Sequence, residues 1–357
     1  MGLVVKRPGV CTTVQDMGRF GYQGSGFSPS GVMDRRAAAL ANILVENPPD
    51  TSVLEFALIG PTIRFTTSTI IAITGGDFRP LLGGKPVAMN QAFIVHRGSL
   101  LSFGKPVAGT YGYISFTGGG LDVPEVMGSR STNMKCRIGG VQGRALIVGD
   151  YVPFTTKTMD YMANLRSHVF DSGVLNAYYE FDKPEVTVRV VLGPQDDRFT
   201  EEGLATFLSE PFVLTSSYDR MGYRFDGPKI ETIGGSDIIS DGIPFGAVQV
   251  PSHGHPIIMM ADRQTTGGYA KIATIASVDI PKMVQCSPGT KVRFSAITVQ
   301  EAQHLIRLER RLFRTLTHKV RRPSVGGISP RRAARRLSPI LERQAEHAQT
   351  EILWIQQ

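Results

Sequence analysis

No run of apolar residues in this chain approaches the roughly 18 that cross a bilayer as a helix, which argues against a helical membrane span. The first residues, Met1-Gly-Leu-Val-Val-Lys-Arg-Pro-Gly9, lack the apolar region of a secretory signal. They read as a first strand, and a cytoplasmic location is expected. There are 3 cysteines, Cys11, Cys136 and Cys286, widely spaced and odd in number. They offer neither a disulfide framework nor the paired spacing of a zinc site, and read as buried thiols. The sequence has no Gly-x-x-x-x-Gly-Lys-Ser/Thr run and no Gly-x-Ser-x-Gly elbow. A self-contained phosphate-binding loop and a serine-hydrolase mechanism are therefore unsupported.

The net charge of +8 is not a property of the body. Residues 307–357 hold 12 of the 39 basic and 4 of the 31 acidic residues, which leaves 27 of each sign in residues 1–306. The excess belongs to a C-terminal tail. Within it, residues 321–336 are rich in arginine, poor in apolar residues and broken by proline and glycine, as expected of a mobile, partly disordered segment. This basic run has no aromatics on which bases could stack, so a nucleic-acid partner is not expected. Residues 338–357 suit one short amphipathic helix.

The whole chain has 41% hydrophobic residues, 39 glycines and 22 prolines, a globular and turn-rich composition. Runs such as Thr69-Ile-Ile-Ala-Ile73, Thr110-Tyr-Gly-Tyr-Ile-Ser-Phe116 and Val186-Thr-Val-Arg-Val-Val-Leu192 carry the β-branched and aromatic enrichment of strands. Few segments read as helical: 34–45, 200–208 behind a Thr200 cap, and 299–316. Strand signals thin out between Thr155 and Pro184. The expected organisation is a β domain over 1–155, a linker over 156–184, a second β domain over 185–300, and a helix with a basic tail over 301–357. Asp16-Met-Gly-Arg-Phe-Gly-Tyr22 is echoed by Asp219-Arg-Met-Gly-Tyr-Arg-Phe225, which suits two similar halves as well as it suits chance.

The densest polar cluster is Ala261-Asp-Arg-Gln-Thr-Thr-Gly-Gly-Tyr269, behind a strand-like Pro256-Ile-Ile-Met-Met260. It suits a binding site at a strand end or a polar turn. It has companions. These are Pro8-Gly-Val-Cys-Thr-Thr-Val-Gln-Asp-Met-Gly-Arg-Phe-Gly-Tyr22, Ser30-Gly-Val-Met-Asp34, Asn42, Leu54-Glu55, Gly60-Pro61, Gly118-Gly-Gly-Leu-Asp-Val-Pro124, Gly128-Ser-Arg-Ser-Thr132, Gly193-Pro-Gln-Asp196, Asp219-Arg-Met-Gly-Tyr-Arg224 and Gln249-Val-Pro251. Guanidinium groups in these motifs suit carboxylates, phosphates and charge developing on an amide oxygen. Asp16, Asp34, Asp219 and Asp262 suit orienting those arginines or acting as bases. Gln15, Gln249 and Gln264 can hydrogen-bond a ligand through both amide atoms, and Ser129, Ser131 and Thr132 suit an anion cradle. An Asp16–Arg19 bridge within a turn is an equally good reading of that pair.

In this order the motifs closely resemble the C subunit of the bacterial ATP-dependent 5-oxoprolinase, a family also known as KipA and allophanate hydrolase subunit 2. They also resemble part of the carboxyltransferase region of urea carboxylase. The resemblance covers about residues 3–300. It implies a mainly β fold of two cyclophilin-like β-barrel domains with few short helices, to which this chain adds the basic extension. It implies a KipI-like B subunit and a third subunit as partners, ATP shared across the complex, and a small cyclic amide as substrate: 5-oxo-L-proline, opened to L-glutamate. Two other functions stay open, a biotin-dependent carboxyltransferase component and a KipA-like regulator that binds a KipI-type kinase inhibitor. The candidate catalytic residues are Asp262, Arg263, Asp16 and Arg19. The candidate substrate-binding residues are Gln264, Gln249, Ser129, Arg130, Ser131, Arg220, Arg224 and Asp34, and no metal is expected. Where family members commonly continue after Gln249-Val-Pro251 with an Asp/Gly/Gln turn, this chain has Ser252-His-Gly-His255, and the tail beyond Arg307 has no family counterpart.

Overall fold

The computed structural model describes residues 1–156, 165, 168–181 and 183–321. Residues 322–357, the rest of the basic tail with its expected terminal helix, fall outside them. The first half contains β1 (Gly2–Arg7), β2 (Cys11–Gln15), α1 (Arg35–Leu44), β3 (Val53–Ala57), β4 (Thr62–Phe65), β5 (Thr69–Asp77), β6 (Pro80–Leu82), β7 (Lys85–Pro86), β8 (Ala92–Val95), β9 (Leu100–Phe103), β10 (Ala108–Phe116) and β11 (Tyr151–Pro153). After α2 (Ser172–Tyr179), the second half contains β12 (Glu185–Leu192), α3 (Glu201–Ser209), β13 (Phe212–Tyr218), β14 (Gly222–Asp226), β15 (Asp237–Gly242), β16 (Ala247–Gln249), β17 (Ile257–Met259), β18 (Thr266–Tyr269), β19 (Lys271–Ile275), α4 (Ile280–Val284), β20 (Lys291–Ala296) and α5 (Val299–Arg321). The chain is mainly β, as its composition and the family resemblance imply.

The strands of the first half form a six-stranded sheet, ordered β11-β1-β4-β9-β6-β7, and a five-stranded sheet, ordered β2-β3-β10-β5-β8. Leu3, Val5, Ile63, Phe65, Ile71 and Phe116 belong to the core these sheets share. In β5 residues 69–76 are all buried, as befits a central strand covered on both faces. On the side away from that core lies α1. Its alanines bring the helix close enough for Thr74 Oγ1 to donate to Ala37 O at 2.7 Å. At Gly112 in β10 a Cβ would lie 2.3 Å from the Phe56 ring, so the packing admits only glycine there.

In the second half seven strands close into a barrel, ordered β12-β19-β16-β17-β14-β13-β20. The β12–β20 pair is parallel. Val186, Val188 and Val190 of β12 point inward and Thr187 outward, the period-2 pattern visible in the sequence. Thr200 caps α3 by accepting from Gly203 N at 3.0 Å, as its sequence suggests. The stretch 156–184, expected to be a linker, contains α2, whose buried Leu175 and Tyr179 pack with Leu40, Ile43 and Leu44 of α1 and Leu316 of α5. No helix among the described residues is long and apolar enough to cross a membrane.

One core cluster spans both halves, uniting Val32, Met33, Val53 and Tyr113 with Val188, Tyr223, Ile258 and Met283. Asp34 fastens this junction. It is wholly buried. Its Oδ1 accepts from Ala37 N at 2.8 Å, capping α1, while Oδ2 accepts from Tyr179 Oη at 2.7 Å and from Gln285 Nε2 at 2.9 Å. Gln285 Oε1 in turn accepts from Thr110 N at 2.9 Å and Tyr111 N at 3.1 Å. Asp34, expected to bind substrate, is instead occupied by internal donors that tie α1, α2 and the second half together. Asp34→Ala is expected to lower the unfolding free energy by about 3 kcal/mol, because it uncaps a helix and leaves buried donors unpaired. Urea denaturation measures this, and a loss below about 1 kcal/mol would contradict the tethering role.

Candidate functional site: a cleft between the halves

A cleft of about 500 Å³ opens between the halves, lined by Cys11, Thr13 and Tyr111 on one side and Tyr218, Met221 and Asp262 on the other, with Glu55 and Arg220 in its wall. The turn between β13 and β14 aims Arg220. Asp219 Oδ1 accepts from Met221 N at 2.8 Å and Gly222 N at 3.1 Å, a side-chain-stabilised turn. The guanidinium then crosses into the first half. Arg220 Nη1 donates to Glu55 Oε1, and Nη2 donates to Gly31 O at 2.7 Å. Nε donates to Asp262 Oδ2 at 2.8 Å and Nη2 to Asp262 Oδ1 at 3.2 Å. Gly31 reaches this position at φ 87°, where a Cβ would come 2.8 Å from Gly18 N.

Glu55 lies in the middle of β3, between β2 and β10. Its Oε2 accepts from Met33 N at 2.7 Å and Tyr113 Oη at 2.8 Å. Burial pushes the Glu55 carboxyl up, and the attraction of Arg220 opposes that shift. Burial likewise works against the Arg220 charge, but Asp262 and Glu55 outweigh it and hold the group well above its ordinary value. The wall is thus an internally satisfied cluster built around the Arg220 cation. Burial also raises Cys11, with Arg220 opposing, so this thiol is neutral at physiological pH and a poor nucleophile.

Beside the cleft a second network forms around Asp16. Its Oδ1 accepts from Gly18 N at 2.9 Å, Ser129 Oγ at 2.7 Å and Ser131 Oγ at 2.5 Å, and its Oδ2 accepts from Arg130 N at 2.6 Å. The hydroxyls expected to cradle an anion are therefore turned onto Asp16, and Thr132 Oγ1 donates to Val14 O at 3.0 Å. Arg19 is wholly buried and makes no bridge to Asp16. It donates to Val126 O and Ser131 O, both at 2.9 Å, and its Nη1 has no hydrogen-bond partner among the described residues. Burial lowers its pKa, against the charges of Asp16, Cys136 and Asp262.

The other expected residues lie elsewhere. Arg263 turns away from Asp262, donating to Ile243 O at 2.8 Å and Met260 O at 3.3 Å. Burial and the neighbouring Arg35 lower it to about 10. Gln249 is buried at the end of β16, its Nε2 3.4 Å from Tyr269 O. Arg224 and Gln264 are exposed. Arg130 Nε donates to Val123 O at 3.1 Å. His253 Nδ1 accepts from His255 N at 3.2 Å. Among the described residues no group of three or more His, Cys, Asp and Glu is placed to hold a metal ion.

A family model described as "Carboxyltransferase domain, subdomain A and B" matches residues 25–296. The chain belongs to this carboxyltransferase-domain family. It is 34% identical over 295 residues to the 5-oxoprolinase C subunit of Haemophilus influenzae, covering 83% of this chain and 91% of that one. Against the Escherichia coli protein of the same name it is 34% identical over 318 residues, covering 89% and 98%. It is also 34% identical over 316 residues to urea amidolyase of Lachancea kluyveri, covering 84% of this chain but 17% of that enzyme. The crystal structure of Kluyveromyces lactis urea amidolyase superposes with a TM-score of 0.79 at 30% identity, covering 88% of this chain and 20% of that one. The chain thus spans about a fifth of the length of that enzyme.

Within this carboxyltransferase-domain chain, the sequence echo has a local structural counterpart. Asp16 follows β2 and Asp219 follows β13, each carboxylate accepts from the N–H two residues on, and each turn buries an arginine, Arg19 or Arg220. Glu55 and Tyr113 were not among the expected site residues. Their signal was an acid inside an otherwise apolar strand, Val53-Leu-Glu-Phe-Ala57, which needs a buried cation or donors. Arg220→Met removes the attraction that most opposes the upward shift of Glu55, leaving only the bonds from Met33 N and Tyr113 Oη against burial. A carboxyl raised above its unfolded value near 4.3 stabilises the fold fully below that value, and the contribution is lost as pH rises from there through the native pKa. The variant is expected to lose about 3–5 kcal/mol at pH 8 and less at pH 5. Urea titrations at the two pH values test this, and an equal loss at both would contradict it.

Proposed function

We propose that this chain is the C subunit of an ATP-dependent 5-oxoprolinase, working in the cytoplasm with a KipI-like B subunit and a third subunit to open 5-oxo-L-proline to L-glutamate. The observation that carries the reading is that the similarity runs along 91% and 98% of two 5-oxoprolinase C subunits, each 34% identical to this chain. The chemistry calls for an assembly. A five-membered lactam is a stable amide, and phosphorylating its oxygen makes the carbonyl open to water. Water then adds, the C–N bond breaks, and the ring nitrogen leaves as the amine of glutamate with release of phosphate.

The inter-half cleft is large enough for a small cyclic amide, and Arg220 and Asp262 form its charged wall. The Arg220 guanidinium is bound to Glu55, Asp262 and Gly31 O, and the Ser129 and Ser131 hydroxyls to Asp16. In this reading ATP is shared across the assembly. Biotin-dependent carboxyl transfer is the second reading, favoured by the family match and the superposition on a urea amidolyase. For it the Gln249 amide is the group suited to a ureido ring.

Co-expression of the three subunits is expected to give ATP-dependent release of glutamate from 5-oxoproline that disappears when this chain is omitted. No activity from the full assembly, or undiminished activity without this chain, would contradict the proposal. A streptavidin-reactive partner that co-purifies would favour the carboxyl-transfer reading. An intact but inactive complex with a KipI-like protein would favour a regulator.

A further inference from the structure

Lys271, the first residue of β19, has a side chain with 0% exposure. Its Nζ pairs with Asp241 Oδ2 at 3.1 Å, and among the described residues it has no other acceptor. A buried ammonium is costly unless its N–H groups are paired. The contrast with Arg220 is direct, since that guanidinium makes several directed bonds to carboxylates as buried as itself. Asp241 is 54% exposed at its side chain and sits on β15, in the two-stranded β15–β18 sheet outside the barrel. The cation is sealed in while its counter-ion stands half in solvent.

The surroundings carry further polar groups. Gln249 is the ladder partner of Lys271 between β16 and β19, which places the two side chains on one face. Gln249 Nε2 is held only by the 3.4 Å contact to Tyr269 O. A Cβ at Gly267 would lie 3.2 Å from that nitrogen, so glycine leaves the amide its space. Gln195 clamps the edge, accepting from Lys271 N at 3.1 Å and donating to Asp241 Oδ2 at 3.3 Å. Ser236, whose carbonyl accepts from Ala270 N at 2.9 Å, has a buried hydroxyl without a partner among the described residues.

We propose that Lys271 is the anchor of a binding site for a small monocarboxylate, separate from the inter-half cleft, and that Asp241 holds the place of the ligand's carboxylate. The half-exposed Asp241 swings into solvent and the incoming carboxylate pairs with the Lys271 ammonium, with the Gln249 amide as a second donor. The exchange keeps one negative charge beside one buried positive charge. A phosphate dianion would bring a second negative charge that the single Lys271 ammonium leaves uncompensated.

The test is ligand-observed NMR on the full chain with three probes: 5-oxo-L-proline, its uncharged analogue 2-pyrrolidinone, and inorganic phosphate. 5-Oxo-L-proline is expected to bind at least tenfold more tightly than either of the others. Lys271→Met should weaken it tenfold or more, with the fold retained because an apolar chain of similar length suits a buried position. Asp241→Asn, at a half-exposed position, should tighten binding several-fold by removing the competing carboxylate, whereas a purely structural ion pair would give no gain. Equal binding of 5-oxo-L-proline and 2-pyrrolidinone, tighter binding of phosphate, an unaffected Lys271→Met, or weaker binding by Asp241→Asn would each overturn the proposal. The readout is binding by this chain alone, so it stands or falls independently of turnover by the assembled enzyme.

Discussion

A buried guanidinium between two carboxylates from different halves of the chain is the interaction on which the rest of this molecule depends. Arg220 comes from the second half, Glu55 and the Gly31 carbonyl from the first, and Asp262 from the second again. None of these charges is tolerable alone at this depth. A lone buried carboxylate or guanidinium costs several kcal/mol, which is recovered only with all its partners in place. The two β units are thus not free to separate at little cost. The cleft they enclose has a wall fixed before any ligand arrives, the preorganisation that binding sites need.

Around this charge cluster the junction is reinforced by neutral and hydrogen-bonded contacts of other kinds. The shared core brings Met33, Val53 and Tyr113 against Tyr223, Ile258 and Met283. Asp34 and Gln285 lock helix α1 to α2 and to the second half, and Tyr223 Oη donates to Val284 O at 3.1 Å within the same interior. The Asp16 network stiffens the loop that leads to Gly31, since Asp16 O accepts from Val32 N at 2.8 Å. Apolar burial therefore brings the halves together, while polar groups that must be satisfied set how they meet.

Much of this was legible in the sequence, for identifiable reasons. Strands β5 and β10 declare themselves by β-branched and aromatic runs, β12 also by a period of two that matches its burial, and Thr200 announces a helix start by its chemistry, whereas Asp34, expected to bind substrate, caps α1. Helix α2 was not legible, because its short, mixed sequence becomes helical through packing of Leu175 and Tyr179 rather than through propensity. The motif at Asp262 was correctly seen as dense with polar groups, but sequence order cannot show that adjacent side chains diverge. Asp262 serves the cleft, and Arg263 lies under the Ile243 carbonyl. Ser129 and Ser131 look like an anion cradle until the fold supplies the anion from within the chain, as Asp16. The role of Glu55 depends on a partner 165 positions away, a pairing no local pattern encodes.

The most direct test of the central claim is a double-mutant cycle between Glu55→Gln and Asp262→Asn, with unfolding free energies from urea denaturation. These two residues belong to different halves and are joined through Arg220. A coupling energy of about 1–3 kcal/mol is the predicted result. Additivity of the two substitutions to within about 0.5 kcal/mol would contradict the view that one buried arginine makes the halves a single energetic unit.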